Sequence, residues 1–364
     1  MASRDEAQDN ILIIGPSWVG DMVMAQSLFI LLKCRRPSCR ITVLAPAWTK
    51  PLLDRMPEVD ASFDLPFGHG ELKLAARRRF GVSLREAAYT QAIVLPNSLK
   101  SALIPWFANI PLRTGWRGEA RGLLLNDCRV LDKTRYPLMV ERFDALAFER
   151  GAELPAKLPD PRLIVRRDEV DAVLTRFGIA TDSQRPLLAV CPGAEFGPSK
   201  QWPAEQFAST CAELIRLGWR VALFGSSGDS AIAQEISKGI VTKIGAELAR
   251  NSYNVAGQTN LEEAIDLMAG CSAVLSNDSG LMHIGAALEL PVVALYGSTS
   301  PDFTPPLTNR SRLLASDIEC RPCFDRTCRF GHGRCMTELK PEHAVRALLD
   351  LQENYFKKSN EARR

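Results

Sequence analysis

Apolar and polar positions alternate along this chain in one recurring order: a short apolar run, a turn rich in glycine, serine and acidic or amide residues, then apolar positions at helical spacing. Ile11-Leu12-Ile13-Ile14 breaks at Gly15-Pro16-Ser17-Trp18-Val19-Gly20-Asp21, and Met22, Met24, Ala25, Leu28, Phe29 and Leu32 follow. That order predicts a buried strand, a tight loop and an amphipathic helix. Further strands are predicted at 40–44 and 91–95, with helices near 47–55, 98–107 and 138–150. A proline-punctuated stretch at 151–186 reads as a domain boundary. The series then resumes with strands at 187–190 and 221–224, a helix from Pro203 to Leu217 and another ending at Ala269, opened by overlapping capping boxes in Thr259-Asn260-Leu261-Glu262-Glu263. Residues 274–306 read as strand, turn, helix and strand, which is a complete βαβ unit. Such alternation predicts an α/β fold with parallel sheets covered on both faces. We therefore expect a tail at 1–10, a first domain at 11–165, a second at 166–340, and a terminal helix near 342–355 within a last segment at 341–364.

Composition narrows the class. The 364 residues can fill two cores, and 46% hydrophobic with 24% charged residues is ordinary for a globular chain. A net charge of +3 argues against nucleic acid as a partner. No apolar run has the length of a membrane span, and MASRDEAQDN lacks the basic-then-apolar order of a secretory signal, so a cytoplasmic location is expected.

The turns carry the chemistry. Cys191-Pro192-Gly193-Ala194-Glu195-Phe196-Gly197-Pro198-Ser199-Lys200 is a glycine loop with a lysine, Gly225-Ser226-Ser227-Gly228-Asp229 is a second loop, and Asn277-Asp278-Ser279-Gly280 opens a helix that carries His283. Three successive strand ends of this kind would line one crevice suited to a nucleotide diphosphate, because helix N-termini and loop amides favour phosphate. Neither phosphate loop ends in the GKS/T of an ATP-hydrolysing site. Asp278, being anionic, would meet a hydroxyl of the ribose or sugar and not the phosphate; the plainer alternative is that Asp278 and Ser279 cap the helix. His283, one turn in, is as a residue type more often structural than ligand-binding. The first loop is not a dinucleotide fingerprint, since its glycines are five apart and Asp21 stands at the helix start, where it is either a cap or a general base. Asn97 and Lys100 follow a predicted strand, and Arg113 and Arg117 lie in the next basic stretch; runs of this kind are usually solvated faces, but here they could receive an anionic acceptor.

GPSWVGDMVMAQSL, RMPEVD, FGHGEL, LPNSLKSAL, PLRTGWRGEAR, GLLLND, PGAEFGPSKQWP, NDSGLMHIGAAL and ALYGSTSPDFTPPL, in that order from Ile11 to about Leu307, resemble the ADP-heptose:lipopolysaccharide heptosyltransferase family. The resemblance implies two Rossmann-like domains facing across a cleft, the GT-B arrangement, with the sugar nucleotide held by the second and the acceptor by the first. It implies inverting transfer of L-glycero-D-manno-heptose from ADP-heptose onto the first heptose of the lipopolysaccharide inner core, with no cofactor needed for catalysis, on a heptosyl-Kdo-lipid A acceptor at the inner membrane surface. Carried over to this chain, Asp21 is the base, Lys200 holds the phosphates, and Asp278, Ser279, Gly280 and His283 form the donor turn. Addition of a different inner-core heptose, or a sugar-nucleotide epimerase on the same fold, remains the alternative.

Beyond Leu307 the resemblance thins. Cys320, Cys323, Cys328 and Cys335 lie within sixteen residues and include one CxxC pair. They suit a structural zinc site placed away from the chemistry, or four reduced thiols in a loop. The other six cysteines are scattered among apolar residues and are expected to serve as small hydrophobes.

Overall fold

The computed structural model describes residues 9–68, 70–180 and 185–361, with side chains through 353. Most of the predicted tail, His69 of the FGHGEL motif and residues 362–364 lie outside the described residues. The chain divides into two compact units at Pro161 and Arg162, inside the stretch 151–186 and four residues before the 165 expected as the end of the first domain.

In the first unit the strands are β1 (Asn10–Ile14), β2 (Arg40–Ala45), β3 (Ala61–Asp64), β4 (Gln91–Val94), β5 (Leu112–Trp116) and β6 (Asp127–Arg129), and the helices are α1 (Val19–Arg35), α2 (Lys50–Leu53), α3 (Leu74–Ser83), α4 (Leu99–Phe107) and α5 (Met139–Asp144). The second unit holds β7 (Leu187–Cys191), β8 (Arg220–Leu223), β9 (Ser252–Asn254), β10 (Ala273–Asn277), β11 (Val292–Tyr296) and β12 (Ser311–Ala315), with α6 (Arg167–Arg176), α7 (Ala204–Arg216), α8 (Ser230–Ala249), α9 (Leu261–Ala269), α10 (Gly280–Ala287), α11 (Arg334–Thr337) and α12 (Pro341–Glu361). Strand order is β3-β2-β1-β4-β5-β6 in one sheet and β12-β11-β10-β7-β8-β9 in the other. The neighbouring strands pair in parallel. Numbered within its own unit, each sheet has the 3-2-1-4-5-6 order of a Rossmann domain, so both expected Rossmann-like domains are present.

Central strands are buried on both faces, which is why they read as unbroken apolar runs: Ile11, Leu12, Ile13, Leu188, Val190, Val274 and Val293 are all fully buried. The outer strands are less buried, with exposed residues in β3 and β12 and half-buried ones throughout β9, and most of them escape the sequence reading. Helix 138–150 is also shorter than expected, since α5 stops at Asp144 and a single 3-10 turn follows. The C-terminal helix is not a separate segment. Ala344, Leu348 and Leu351 of α12 are buried in the core of the second unit with Trp202, Phe207 and Leu214. Of the scattered cysteines, Cys39, Cys191, Cys211 and Cys271 are buried as expected of small hydrophobes, whereas Cys34 is exposed. Among the described residues no helix is long and apolar enough to cross a membrane.

Candidate active site

In each sheet the order reverses between two strands, β1 and β4 in the first and β7 and β10 in the second. Loops leaving such a pair diverge to opposite faces and open a crevice at the carboxyl ends of the strands. The predicted loops occupy these positions: the Asp21 loop follows β1, Asn97 follows β4, the lysine loop follows β7, and the Asp278 turn follows β10.

The second unit brings its predicted residues together. Asn277, fully buried at the end of β10, donates to the carbonyls of Pro192 at 2.8 Å and Gly193 at 3.4 Å, while its Oδ1 accepts from Trp202 N at 3.2 Å. These bonds fasten the lysine loop to the turn. Lys200 Nζ then lies 2.7 Å from Asp278 Oδ2, and the Thr299 hydroxyl donates to the same oxygen at 2.7 Å. Asp278 is 4% exposed and Lys200 13%, so the pair is nearly dry. The carboxylate expected to meet a ribose therefore engages the lysine expected to hold phosphates. Neither Asp278 nor Ser279 caps α10: Ser279 occupies the N-cap position without a side-chain bond to the helix, its hydroxyl lying 3.1 Å from that of Ser276. The helix mouth thus keeps its positive end for an anion.

His283 is buried one turn into α10, and burial holds its pKa down at about 4, with Asp278 opposing the shift and Lys200 adding to it. At neutral pH the imidazole is uncharged, so it can bond to a ligand but cannot neutralise one. Gly193 lies against Asp229, whose carboxylate also accepts from the backbone and hydroxyl of Ser226, each at 2.8 Å. The Gly-Ser loop therefore stands beside the lysine loop, with Ser226 committed to Asp229 and Ser227 exposed.

In the first unit, Asp21 sits in the first turn of α1, half-buried, where the helix dipole favours its charge. Asn97 is exposed beyond β4, Lys100 is half-buried at the start of α4, and Arg117 is exposed just past β5. Arg113 departs from expectation. It is the second residue of β5, paired in register with Ala92 at the amino end of β4, and so lies at the opposite end of the sheet from the loops. Its Nε donates to Leu124 O at 2.7 Å and its Nη1 to Ile110 O, and burial pulls its pKa down. Arg113 is a structural arginine and no acceptor ligand.

Sequence reasoning missed the residue that organises these loops. Arg121 is fully buried, and its guanidinium donates to Trp116 O at 2.9 Å, Asn97 Oδ1 at 2.8 Å, the Ser101 hydroxyl at 3.3 Å and Pro96 O. It ties the loop after β4 to the loop after β5. Gly118 lets the two close up, because a Cβ there would lie 2.6 Å from Asn97 O. The spacing Arg-Gly-Glu-Ala-Arg held the only signal, and an arginine in such a run reads as surface.

The cysteine segment also departs from expectation. Among the described residues no group of three or more histidine, cysteine or acidic side chains is placed to hold a metal. Cys335 is buried in the core of the second unit while Cys320, Cys323 and Cys328 are half-exposed. Backbone N–H groups, Gly333 foremost, draw the Cys328 thiol below its ordinary pKa. The described residues thus show no zinc site, although burial first, and then the charges of Cys320, Cys323 and Cys328, raise the Cys335 thiol above its ordinary pKa. Nor does the segment lie apart from the lysine loop: Ser199, next to Lys200, donates its N–H to Arg326 O at 3.2 Å and its hydroxyl to Asp325 O.

Comparison with known proteins adds independent findings. The family model for glycosyltransferase family 9 (heptosyltransferase) matches residues 77–333. Lipopolysaccharide heptosyltransferase 2 of Salmonella typhimurium is 53% identical over 309 residues, covering 84% of this chain and 87% of that protein. Lipooligosaccharide heptosyltransferase 2 of Haemophilus influenzae is 47% identical over 352 residues, 94% of this chain and 99% of its own length. The solved structure of Escherichia coli ADP-heptose lps heptosyltransferase II superposes with a TM-score of 0.85 at 45% identity, covering 95% of this chain and 99% of that one.

Proposed function

This chain belongs to glycosyltransferase family 9, the heptosyltransferases, and from that membership we propose that it transfers L-glycero-D-manno-heptose from ADP-heptose onto the first heptose of the lipopolysaccharide inner core. The observation that carries the reading is the dry Lys200–Asp278–Thr299 cluster at the uncapped mouth of α10, in a chain with 53% identity to a heptosyltransferase 2.

The chemistry follows from these parts. As the bond from the anomeric carbon to the diphosphate oxygen breaks, negative charge grows on the leaving ADP. Lys200 and the amides at the start of α10 are pre-set to meet that charge, and being fixed before the reaction they need little reorganisation. Lys200, turning protons it does not give to Asp278 toward the diphosphate, and the helix amides offer charge-assisted hydrogen bonds in place of a divalent ion, so transfer is proposed to be metal-independent. Neutral His283 supplies a hydrogen bond to the donor and no charge. Asp21 takes the proton from the acceptor hydroxyl as that oxygen attacks the opposite face of the anomeric carbon, which inverts the configuration. Asn97, Lys100 and Arg117 receive the anionic acceptor, with the arginine fork suited to carboxylates and phosphates. That acceptor, a heptosyl-Kdo-lipid A, would be met at the inner face of the cytoplasmic membrane.

Purified protein given ADP-heptose and acceptors bearing either no heptose or one, with products resolved by mass, tests the reading. A gain of one heptose on the one-heptose acceptor alone is expected. Transfer to the heptose-free acceptor would reassign the chain to the first heptose addition, and release of free heptose with neither would remove the transferase assignment.

A further inference from the structure

We infer that Arg321, in the cysteine-rich segment, is a positioning residue of the donor site that acts through Thr299 and Asp278 on Lys200. The inference rests on the reading of this crevice as a nucleoside-diphosphate site. The Arg321 side chain donates to three backbone carbonyls: Nε to Gly297 O at 3.1 Å, Nη1 to Ser316 O at 3.1 Å and Nη2 to Thr299 O at 3.4 Å. Two of these belong to the loop after β11, and the loop is gripped again beside them. Phe324 N donates to Ser298 O at 2.8 Å, and the hydroxyls of Ser298 and Ser199 lie 2.9 Å apart. Ser298 is 1% exposed and Thr299 5%, so the loop has no water to replace these bonds.

What the grip fixes is the Thr299 hydroxyl. It shares Asp278 Oδ2 with Lys200, each at 2.7 Å. A carboxylate oxygen that already accepts from a hydroxyl holds an ammonium less tightly than one that does not. Thr299 therefore leaves Lys200 anchored yet able to share its remaining protons with a diphosphate. Without Arg321 the loop carbonyls lose their donor and the hydroxyl loses its fixed position. A planar fork suits this place because its separate nitrogens reach three carbonyls on two segments in a fixed geometry, where a lysine offers one point of donation and would hold only part of the set.

The test is a double-mutant cycle read by ADP affinity in calorimetry, alongside KM for donor and acceptor and Tm. Arg321→Met is expected to weaken ADP about tenfold and raise donor KM while acceptor KM stays put, with Arg321→Lys recovering part and Thr299→Val reproducing the loss. In a Lys200→Ala background the same substitutions should cost little further, since the group they act through is gone. Losses that add fully to that of Lys200→Ala would overturn the inference, as would donor and acceptor KM rising together with a fall in Tm. Should Arg321→Met not fold, Arg321→Lys and Thr299→Val carry the cycle. An unaltered protein that binds no ADP would remove the donor-site reading and this inference with it. Non-additive losses of ADP affinity in a protein that transfers no heptose would support the inference and overturn only the heptose assignment.

Discussion

The two units share one strand order yet build their strand-end loops in opposite ways. In the second, the polar side chains of the crevice are bonded to one another, with Asn277 fastening the lysine loop and Asp278 shared by Lys200 and Thr299. In the first, Asn97 and Arg117 are exposed, and their loops are tied by the buried Arg121 of the loop after β5, to which Asn97 gives only its oxygen. The difference fits the proposed ligands. A diphosphate presents the same charge in every turnover, so a dry, pre-paired cluster can be aimed at it in advance. A branched, charged glycan is met better by side chains that order on contact, at some cost in lost rotamer freedom.

If that contrast is functional, Asp21→Asn should give the largest effect: turnover falling by about two to four orders of magnitude with ADP affinity unchanged. Wild-type turnover in that variant would assign the base elsewhere. Lys200→Ala should come next, lowering kcat by roughly 10²–10³ and weakening ADP together, because the same cation serves ground and transition states. It should also lower Tm, since it leaves the carboxylate of Asp278 buried without its partner. Donor kinetics identical to wild type would separate the cluster from catalysis.

Smaller effects sharpen the first unit. Arg117→Glu should raise acceptor KM several-fold and leave donor KM alone, while Arg113→Met should lower Tm by a few degrees with both KM values unchanged, consistent with lost bonds to carbonyls of about 1–3 kcal/mol. An acceptor-specific effect at Arg113 would contradict its position at the far end of β5.

The subtlest contrast is in pH. Asp144, buried in the first unit and bonded to the Ser27 hydroxyl at 2.7 Å, has its pKa pushed up by burial to about 8. A carboxyl whose folded pKa is raised contributes stability in full below its unfolded value near 4, and loses it as pH climbs toward 8. His283 in the second unit runs the other way. With its folded pKa lowered to about 4 from 6.5, it contributes above 6.5 and loses that contribution as pH falls toward 4. Calorimetric Tm followed from pH 5 to pH 8 should therefore show a weaker alkaline decline in Asp144→Asn and a weaker acid decline in His283→Gln. Parallel curves for wild type and either variant would remove that group from the balance.

How much of this was legible beforehand depends on how far apart the interacting residues lie. Strands β1, β4, β7, β10 and β11 could be read because burial on both faces demands unbroken apolar runs. Edge strands β3, β6 and β9 are only three or four residues long, and β12 is largely exposed, so their sequences resemble loops. The lysine loop and the Asp278 turn could be read from local types, since a glycine loop or a helix mouth announces phosphate within a few residues.

Sequence alone thus determined the two α/β series, the chemistry offered at each strand end and the family to which the chain belongs, because each rests on short-range spacing or on ordered motifs. Tertiary structure alone decided which of those groups meet. Lys200 and Asp278 are 78 residues apart and pair only because β7 and β10 are neighbours. Arg113 and Arg117 stand in one basic stretch, yet a strand carries them to opposite ends of the sheet. The cysteine segment reads as an appendage until its backbone is seen holding Ser199 and the loop that bears Thr299. Contacts of that kind come from the order in which strands assemble, and no local pattern encodes that order.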